Sequence, residues 1–361
     1  MSFEMPPVLV LLVLPILSFI LSLAAVPLVR KYSRKFDFVD RPGGRKQHEG
    51  ATPYGGGIAI FAVFGFLSFF IAPPFENSWA YFLALAMILI TGVIDDKRGV
   101  NAKVKFVIHF LSAFILVIPG YTQLATLGDL LGFGNMGLGW AVIPFSVACV
   151  VYIINAINMM DGVDGLAGGN CLIVFLWLLV ACFFAGEWEV FMSLGLICGA
   201  VLGFLVYNMR NPWRRKASIF LGDAGSMALG LTIAWYCIHL SQQPIAIIPP
   251  VSVAWIIALP IVDAFGLLVA RLSEGKHPFE PDRRHFHHHF LDNGFSPSQT
   301  TIIVLTWSAI LGGIGYLGLK FGIEEPVLGW AWVTLWIGHA VLVIKSNRFS
   351  TLLKKIKTRS R

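Results

Sequence analysis

Apolar runs long enough to cross a lipid bilayer recur along the whole chain. A helix needs about 20 mostly apolar residues to span a bilayer. Only 13% of the 361 residues are charged, which is about half of the fraction usual in soluble domains. We therefore predict an all-α fold, a polytopic transmembrane helical bundle. Eleven spans are expected, over residues 8–29, 57–73, 79–94, 104–119, 140–157, 170–186, 190–207, 227–240, 247–270, 300–319 and 327–344.

Positive charge is distributed very unequally over the loops between these spans. Of the 27 Lys and Arg residues, all except Lys320 lie in every second loop or in the C-terminal tail. Cytoplasmic loops of membrane proteins are enriched in Lys and Arg, so the pattern predicts a periplasmic N-terminus and a cytoplasmic C-terminus. The net charge of +7 then reflects topology, and nucleic acid is not an expected partner. Residues 1–344 are predicted to form a single transmembrane domain, and residues 345–361 a basic cytoplasmic tail against anionic lipid.

Polar side chains concentrate in five segments on the predicted cytoplasmic side. In chain order these are RPGGRKQHEGATPYGGG, DDKRGVNAK, NAINMMDGVDGLAGG, NMRNPWRRKASIFLGDAGS and HPFEPDRRHFHHHF. The loops on the opposite side are short or poor in reactive groups. We therefore place a candidate active site at the cytoplasmic face.

In the third segment, polar side chains recur at every third residue. Asn155, Asn158, Asp161 and Asp164 would form a slowly turning stripe on one face of a helix. Amide and carboxylate oxygens on one face suit a hard cation, or the ribose and base of a nucleotide. A polar helix end with solvated carboxylates explains this segment alone equally well.

Three further acids border predicted spans. Asp95 and Asp96 end the third span, where two adjacent carboxylates need a cation or a basic partner to be desolvated. Asp223 lies between Gly222 and Gly225, and it either points into a cytoplasmic cavity or caps the following helix. Taken singly, an ordinary charged loop and a helix cap explain these residues.

The fifth segment combines arginines with histidines. Arg283, His285, His287 and His288 lie together. Consecutive imidazoles cannot all face one metal ion and the spacing is not that of HExxH, so the cluster fits a diphosphate better than zinc. Asp263, in the ninth span, is an intramembrane acid whose partner the sequence does not identify, and it is a candidate functional residue.

Together, the five segments collect carboxylates, amides, imidazoles and guanidinium groups at one face of a helical bundle. This combination suits a divalent cation that holds a diphosphate, and it favours phosphoryl transfer at a membrane surface. A transporter is the alternative from another class, although its ionisable groups are expected nearer the bilayer midplane. A structural scaffold would not require five polar clusters on one face.

Five shorter motifs carry a resemblance to a known family. RKQHEGATPYGGG, GVIDDKRGV, NAINMMDGVDGL, FLGDAGS and PDRRHFHH, in this order, resemble the polyprenyl-phosphate N-acetylhexosamine-1-phosphate transferases (glycosyltransferase family 4). ATPYGGG and the HxHH pattern are more similar to the WecA-like branch of the family. His287–His289 would also satisfy the triple histidine of the MraY-like branch.

The resemblance implies a reaction and a setting for it. The reaction is transfer of GlcNAc-1-phosphate from UDP-GlcNAc to undecaprenyl phosphate, which yields undecaprenyl-diphospho-GlcNAc and UMP. Mg²⁺ or Mn²⁺ is the implied cofactor, and the bacterial inner membrane is the implied location, with a cytoplasmic active site. The implied pathway step is the first membrane step of O-antigen, lipopolysaccharide or other cell-envelope polysaccharide synthesis, and a homodimer is the implied assembly. MraY-type transfer of phospho-MurNAc-pentapeptide and other UDP-N-acetylhexosamine donors stay open.

The resemblance also implies roles for individual residues. Asp223 would hold the metal ion with Asn158 as a second ligand, and Asp95 and Asp96 would lie near the lipid phosphate. Asp95, Asp96 and Asp223 are therefore the candidate catalytic residues. The candidate substrate-binding residues, among which Phe220 would stack on uracil, are Lys46, His48, Asp161, Asp164, Asn208, Phe220, Arg283, His285, His287 and His288.

Overall fold

A computed structural model describes residues 8–41, 51–71, 74–277 and 282–359 of the chain. Over these ranges the structure is mostly helical. The helices are α1 (Val8–Lys35), α2 (Gly56–Ser68), α3 (Ser78–Arg98), α4 (Ala102–Val117), α5 (Val142–Met160), α6 (Leu166–Ala185), α7 (Trp188–Asn208), α8 (Gly222–Ser241), α9 (Pro250–Ile256), α10 (Ala258–Ser273), α11 (Phe286–Asp292), α12 (Pro297–Lys320), α13 (Glu325–Ile344) and α14 (Ser346–Arg359). Two short antiparallel strands, β1 (Val39–Asp40) and β2 (Thr52–Pro53), pair between α1 and α2.

Many of these helices can cross a membrane. In the described ranges, eight helices are long and apolar enough: α1, α3, α5, α6, α7, α8, α12 and α13. A ninth span results if α9 and α10, which are bent by 78° relative to each other, count as one. The prediction of an all-α, multi-pass membrane protein is confirmed.

The number of spans and their orientation stay predictions. Each of the eleven predicted spans coincides with a helix or with the bent pair. However, α2 has 13 residues and α4 has 16, and both are shorter than a bilayer requires. The spans predicted over 79–94 and 227–240 are longer in the structure. As a result, Asp95 and Asp96 lie in the last turns of α3, and Asp223 lies in the first turn of α8.

The chain divides into two compact units. The first comprises residues 1–124 and 139–247, and the second comprises residues 125–138 and 248–361. Compact units can share one function, so the predicted single catalytic domain over residues 1–344 and the separate tail over 345–361 stay predictions.

In the first unit, α8 is the most deeply buried membrane-spanning helix, and two other helices approach its N-terminal turn very closely. A Cβ added at Gly57 of α2 would lie 2.2 Å from the Cα of Gly225, and one added at Gly92 of α3 would lie 2.3 Å from the Cα of Ala224. With no side chain between them, the helix backbones pack directly against each other, as small residues permit in membrane bundles. This packing positions the ends of α3 and α8 for the polar contacts between them.

The second unit is built around α9, α10, α12 and α13. α10 packs on α13, α9 packs on α12, and the tail helix α14 packs on α11 and α13. Ser252 of α9 donates a hydrogen bond to the carbonyl of Gly315 at 2.6 Å, and Trp255 donates one to the carbonyl of Leu328 at 3.1 Å. These bonds fix the bent α9–α10 pair in the unit that carries the histidine segment.

Candidate active site

Asp96 links the end of α3 to the start of α8. Its carboxylate accepts hydrogen bonds from the backbone N–H groups of Asp223 at 2.8 Å and Ala224 at 3.3 Å. The first amides of a helix lack an intrahelical acceptor, and the helix dipole favours an anion there. Asp96 therefore caps α8 from another helix, so the cap that the sequence suggested for Asp223 is supplied by a different acid. Gly222 permits this contact, because its φ is +76° and an added Cβ would lie 2.5 Å from the Asp96 Oδ2.

Lys105 bridges two of the predicted catalytic carboxylates. Its Nζ lies 2.6 Å from the Asp95 Oδ2 and 3.0 Å from the Asp223 Oδ2. The Asp95 Oδ1 also accepts the backbone N–H of Val100 at 2.6 Å. Lys105 was not among the site residues predicted from the sequence. The sequence contained one signal for it, because two adjacent carboxylates require a basic partner. Several nearby lysines met this requirement equally well.

Asn158 completes this acid cluster, which consists of Asp95, Asp96, Lys105, Asn158 and Asp223. The Asn158 Nδ2 donates to the Asp223 Oδ1 at 3.1 Å and to the Ser226 Oγ at 3.0 Å. Four of the predicted residues, Asp95, Asp96, Asn158 and Asp223, are thus brought together from α3, α5 and α8.

The donor set of this cluster fits a magnesium-type ion in part. No three His, Cys, Asp or Glu side chains in the described ranges are arranged to hold a metal ion by themselves. Mg²⁺ usually takes only one or two carboxylates and completes its shell with water and substrate phosphates. Asp223 offers a carboxylate whose side chain is 33% exposed, and Asn158 offers an amide that presents its oxygen when its last side-chain bond turns. The metal and both ligands stay predictions.

The predicted polar stripe of the third segment ends earlier than expected. α5 stops at Met160 and α6 starts at Leu166, with Gly165 between them at a φ of +79°. Asn155 and Asn158 therefore share a helix, whereas Asp161 and Asp164 lie in the connecting turn. The helical periodicity was wrong for the two acids because the backbone leaves the helical conformation at Asp161, which has a φ of −77° and a ψ of 64°, and the turn that follows includes Gly165.

These two acids differ in their environments. The Asp164 Oδ2 accepts a hydrogen bond from the Arg210 Nε at 2.6 Å and one from the backbone N–H of Ala217 at 3.1 Å. Asp161 is accessible to water and has no side-chain hydrogen-bond partner among the described residues. It nevertheless lies in a recess of the protein. Desolvation by the surrounding atoms and the neighbouring carboxylates, with Asp223 the strongest, raise its pKa well above the usual range.

Asn208 holds two loops of the first unit together. Its Oδ1 accepts the backbone N–H of Gly165 at 2.8 Å, and its Nδ2 donates to the carbonyl of Ile219 at 2.9 Å. The side chain is buried. This geometry supports a positioning role for Asn208, and its predicted contact with substrate stays a prediction.

Phe220 lies just before the N-terminus of α8, next to the strand pair. Its backbone N–H donates to the carbonyl of Pro53 at 2.8 Å, and its half-buried ring lies 6.2 Å from that of Tyr54. Burial and the bond to Asp40 raise the pKa of Tyr54 above its usual range, so Tyr54 stays a neutral phenol. Stacking of Phe220 on a base stays a prediction. Lys46 and His48 lie outside the described residues.

The predicted histidines lie together in the second unit. The His285 Nδ1 is 3.0 Å from the Asp263 Oδ2, and the rings of His285 and His287 stack with their centroids 5.4 Å apart. The His287 and His288 rings are 4.3 Å apart. Arg283 is exposed and pairs with Asp292 at 3.2 Å. The histidine cluster consists of Arg283, His285, His287, His288 and His289.

Several imidazole nitrogens of this cluster lack partners. The His287 Nε2, His288 Nδ1 and His289 Nε2 are buried without a hydrogen-bond partner among the described residues. Burial, followed by the neighbouring imidazoles and, for His288, the guanidinium group of Arg283, lowers the pKa of His287 to about 3 and that of His288 to about 4. Both rings are therefore neutral at pH 7, and they would act on a ligand as hydrogen-bonding groups rather than as cations.

The fold and the two clusters define the class of protein. It is an all-α, multi-pass membrane protein that contains hydrogen-bonded carboxylates, a lysine and buried imidazoles. Such groups bind phosphates and stabilise the charge that develops in phosphoryl transfer. The sequence model of Glycosyl transferase family 4 matches residues 78–241, the range that contains the whole acid cluster.

Relatives match over nearly the whole chain. The chain is similar to the undecaprenyl-phosphate alpha-N-acetylglucosaminyl 1-phosphate transferase of Escherichia coli (strain K12), with 29% identity over 92% of this chain and 90% of the relative. For the enzyme of the same name from Yersinia pestis the identity is 30% over 95% of this chain and 94% of the relative. For that of Pasteurella multocida (strain Pm70) it is 29% over 96% and 97%. The chain therefore belongs to glycosyl transferase family 4, and the predicted family and the prediction of a transferase are confirmed.

Proposed function

We propose that this protein transfers GlcNAc-1-phosphate from UDP-GlcNAc to undecaprenyl phosphate, with release of UMP. The observation that carries the proposal is the similarity, over 95% of the chain, to a transferase of that name. In the proposed setting, the enzyme lies in the bacterial inner membrane and feeds lipopolysaccharide or another envelope polysaccharide such as O-antigen. Its active site faces the cytoplasm, and a homodimer is the proposed assembly.

The reaction is a displacement at phosphorus. An oxygen of the lipid phosphate attacks the sugar-bearing β-phosphorus of UDP-GlcNAc. The bond from this phosphorus to the bridging oxygen breaks, and its electron pair leaves on the phosphate of UMP. Both reactants are anionic, so positioning and charge stabilisation supply most of the rate enhancement.

Lys105 is the residue best placed to supply positive charge in the acid cluster. Its ammonium lies between Asp95 and Asp223, which hold it in one orientation. A phosphate monoester is already largely ionised near pH 7, so little deprotonation is needed. The 2.6 Å contact with Lys105 supports an orienting role for Asp95 rather than a role as a base.

Asp223, with Asn158 as a second ligand, would hold Mg²⁺ or Mn²⁺. When bound, such an ion neutralises charge on the diphosphate. Asp96 acts indirectly, because it holds the first turn of α8 and thereby the backbone of Asp223. Full turnover by folded Asp223→Ala and Asn158→Ala variants would contradict the metal assignment.

The donor contacts are proposed for groups that have hydrogen-bonding capacity to spare. Asp161 is suited to the hydroxyl groups of a ribose or sugar, since it is accessible and has no side-chain partner among the described residues. Arg283, His285, His287 and His288 are proposed for the diphosphate or sugar. Phe220 is proposed for uracil, and Lys46 and His48 for the same substrate.

A donor comparison tests the function. Purified protein would be incubated with Mg²⁺, undecaprenyl phosphate and, separately, UDP-GlcNAc, UDP-GalNAc or UDP-MurNAc-pentapeptide. UMP release and the mass of the lipid product would be followed, with Asp223→Ala as the inactive control. UMP and a lipid-diphospho-GlcNAc from UDP-GlcNAc alone are expected. Product from the pentapeptide donor alone would assign the MraY-like reaction, and no UMP from any donor by folded protein would overturn the proposal.

A further inference from the structure

A buried carboxylate in α10 has no role in the reaction described above. Asp263 is 4% exposed and lies within the apolar sequence ALPIVDAFGLL. An ionised carboxylate in such surroundings is costly unless it is well hydrogen-bonded. A leucine would pack at this position without that cost, so an acid here is expected to have a function.

Three groups of the second unit surround this carboxylate. The His285 Nδ1 lies 3.0 Å from the Oδ2, and the backbone N–H of Phe286 lies 2.8 Å from the Oδ1. The His339 Nε2, on α13, lies 3.4 Å from the Oδ1. Gly266, one turn after Asp263, leaves room for His339, because an added Cβ there would lie 2.8 Å from the His339 ring.

The contact with His285 selects one state of its imidazole. A carboxylate only accepts hydrogen bonds, so the Nδ1 of His285 must carry the hydrogen. The Nε2 is then the atom left for a ligand. Buried carboxylates orient catalytic and metal-binding histidines of many enzymes in this way.

The contact with Phe286 fixes the start of α11. This helix has only seven residues, which is too short to be stable by itself. The Asp263 Oδ1 accepts a hydrogen bond from its first amide, and His287 and His288 follow within the same turn. Their buried nitrogens, the His287 Nε2 and the His288 Nδ1, have no partner among the described residues. One carboxylate thus orients His285 directly and the next two imidazoles through the backbone.

We propose that Asp263 is a positioning residue that holds His285 and the first turn of α11 in the geometry required to bind the diphosphate of the nucleotide-sugar donor. The identity of the ligand rests on the function proposed above, whereas the Asp263–His285 pair does not. Asp263 itself contacts no substrate. Its effect is therefore expected in donor affinity and not in the binding of the lipid acceptor.

Steady-state kinetics of UMP release would test this role. Asp263→Asn keeps the shape of the side chain, but it replaces one accepting oxygen by an N–H donor. The donor KM is expected to rise by about 10-fold, a typical effect of losing such a supporting partner, while the acceptor KM stays within about 2-fold of wild type. The matched control is Glu189→Gln. It removes an exposed carboxylate in the first turn of α7, and its donor KM should equal that of wild type.

A double-substitution cycle separates positioning from general structural damage. If Asp263 acts through His285, Asp263→Asn should raise the donor KM little further in a His285→Ala background. Additive effects, or a parallel loss of kcat, acceptor affinity and thermal stability, would overturn the proposal. His285→Asn is the alternative if Asp263→Asn does not fold, because its amide nitrogen can still donate to Asp263. It should fold and raise the donor KM, and an unchanged KM would overturn the proposal.

Binding of UDP keeps the inference separate from the proposed function. If wild-type protein released no UMP from any donor, the proposed function would fail. The shift in thermal midpoint caused by UDP would then test Asp263 independently. A shift in wild type that is lost in Asp263→Asn supports the positioning role, and equal shifts, or no shift in either protein, overturn it.

Discussion

The acid cluster of the first unit and the histidine cluster of the second unit satisfy their polar atoms in opposite ways. In the acid cluster, Asp95, Asp96 and Asp223 all accept hydrogen bonds from a lysine, an amide or the backbone at the start of α8. In the histidine cluster, three imidazole nitrogens are buried without a partner among the described residues. Both clusters belong to a very apolar chain, so neither arrangement is a consequence of composition.

The carboxylates of the acid cluster find their hydrogen-bond partners within the protein, whereas three imidazole nitrogens of the histidine cluster have none among the described residues. A buried polar atom without a partner costs about 1–3 kcal/mol. Such atoms persist where a ligand offsets this cost, and the imidazoles are therefore the groups most ready to accept one. The acid cluster is preorganised instead, so its ligands must compete with bonds that already exist, above all that between Lys105 and Asp223.

The largest effect is expected from removing the charge of Asp223. Asp223→Asn keeps a hydrogen-bonding side chain next to Asn158 but removes the anion that contacts Lys105 and would hold a cation. We expect kcat to fall by about 100- to 1000-fold, as for the loss of other charge-stabilising groups. UMP release would measure it. The control is Asp37→Asn, which removes a carboxylate that is 67% exposed, and substantial turnover by Asp223→Asn would show that the bonded acids are structural only.

The next effect separates the two acids of the turn between α5 and α6. Asp161→Asn should lower donor affinity by about 10-fold with little change in thermal stability, since its side chain has no hydrogen-bond partner to lose among the described residues. Asp164→Asn should instead lower the thermal midpoint, because it disrupts the ion pair with Arg210 at 2.6 Å. Donor KM and melting temperature, measured on both variants, would check this. The reverse pattern would mean that Asp164 is the ligand-binding acid.

The incomplete histidine cluster should make stability depend on pH. The pKa of His287 is about 3 in the folded protein and 6.5 ordinarily, so the folded state binds fewer protons. The titration of His287 therefore leaves the free energy of unfolding unchanged above pH 6.5 and lowers it as the pH falls from 6.5 towards 3. At pH 5 the loss is about 2 kcal/mol. Melting temperatures between pH 7.5 and 5 should therefore fall less in His287→Asn than in wild type. His277→Asn, at an exposed position, should leave the slope unchanged, and an equal slope in His287→Asn would refute the assignment.

The smallest effect concerns the tail helix that supports the histidine cluster. The Phe349 ring of α14 lies 5.3 Å from that of His289 and stacks on Phe286 at 6.3 Å. Phe349→Ala should destabilise the second unit by about 1 kcal/mol and should weaken donor binding only slightly. Phe321→Ala, at a position that is 82% exposed, is the matched control for thermal melting. Equal melting of the two variants would mean that α14 does not support α11.

The local features of this protein were predictable from its sequence. Hydropathy is a property of contiguous residues, so every predicted span coincides with a helix or with the bent α9–α10 pair. The motifs that carry the family resemblance are also contiguous, and they include all four of the predicted residues that meet in the acid cluster. The helical stripe from Asn155 to Asp164 was the exception, because α5 ends at Met160 and the two acids lie in the turn before α6.

Only the tertiary structure determined how distant residues are paired. Asp96 caps a helix that starts 126 residues later, Lys105 joins Asp95 to Asp223, and Asp263 finds its partners in His285 and His339. No pattern along the chain marks such pairs, because a carboxylate has the same sequence signature whether water, a lysine or a backbone amide neutralises it. The sequence by itself determined which residue types are available and which segments form apolar helices. Close backbone packing at Gly57 and Gly92, together with the room that Gly222 leaves for the Asp96 carboxylate, decided which of the polar groups at the acid cluster meet, since hydrogen bonds form only between atoms within a few ångströms of each other.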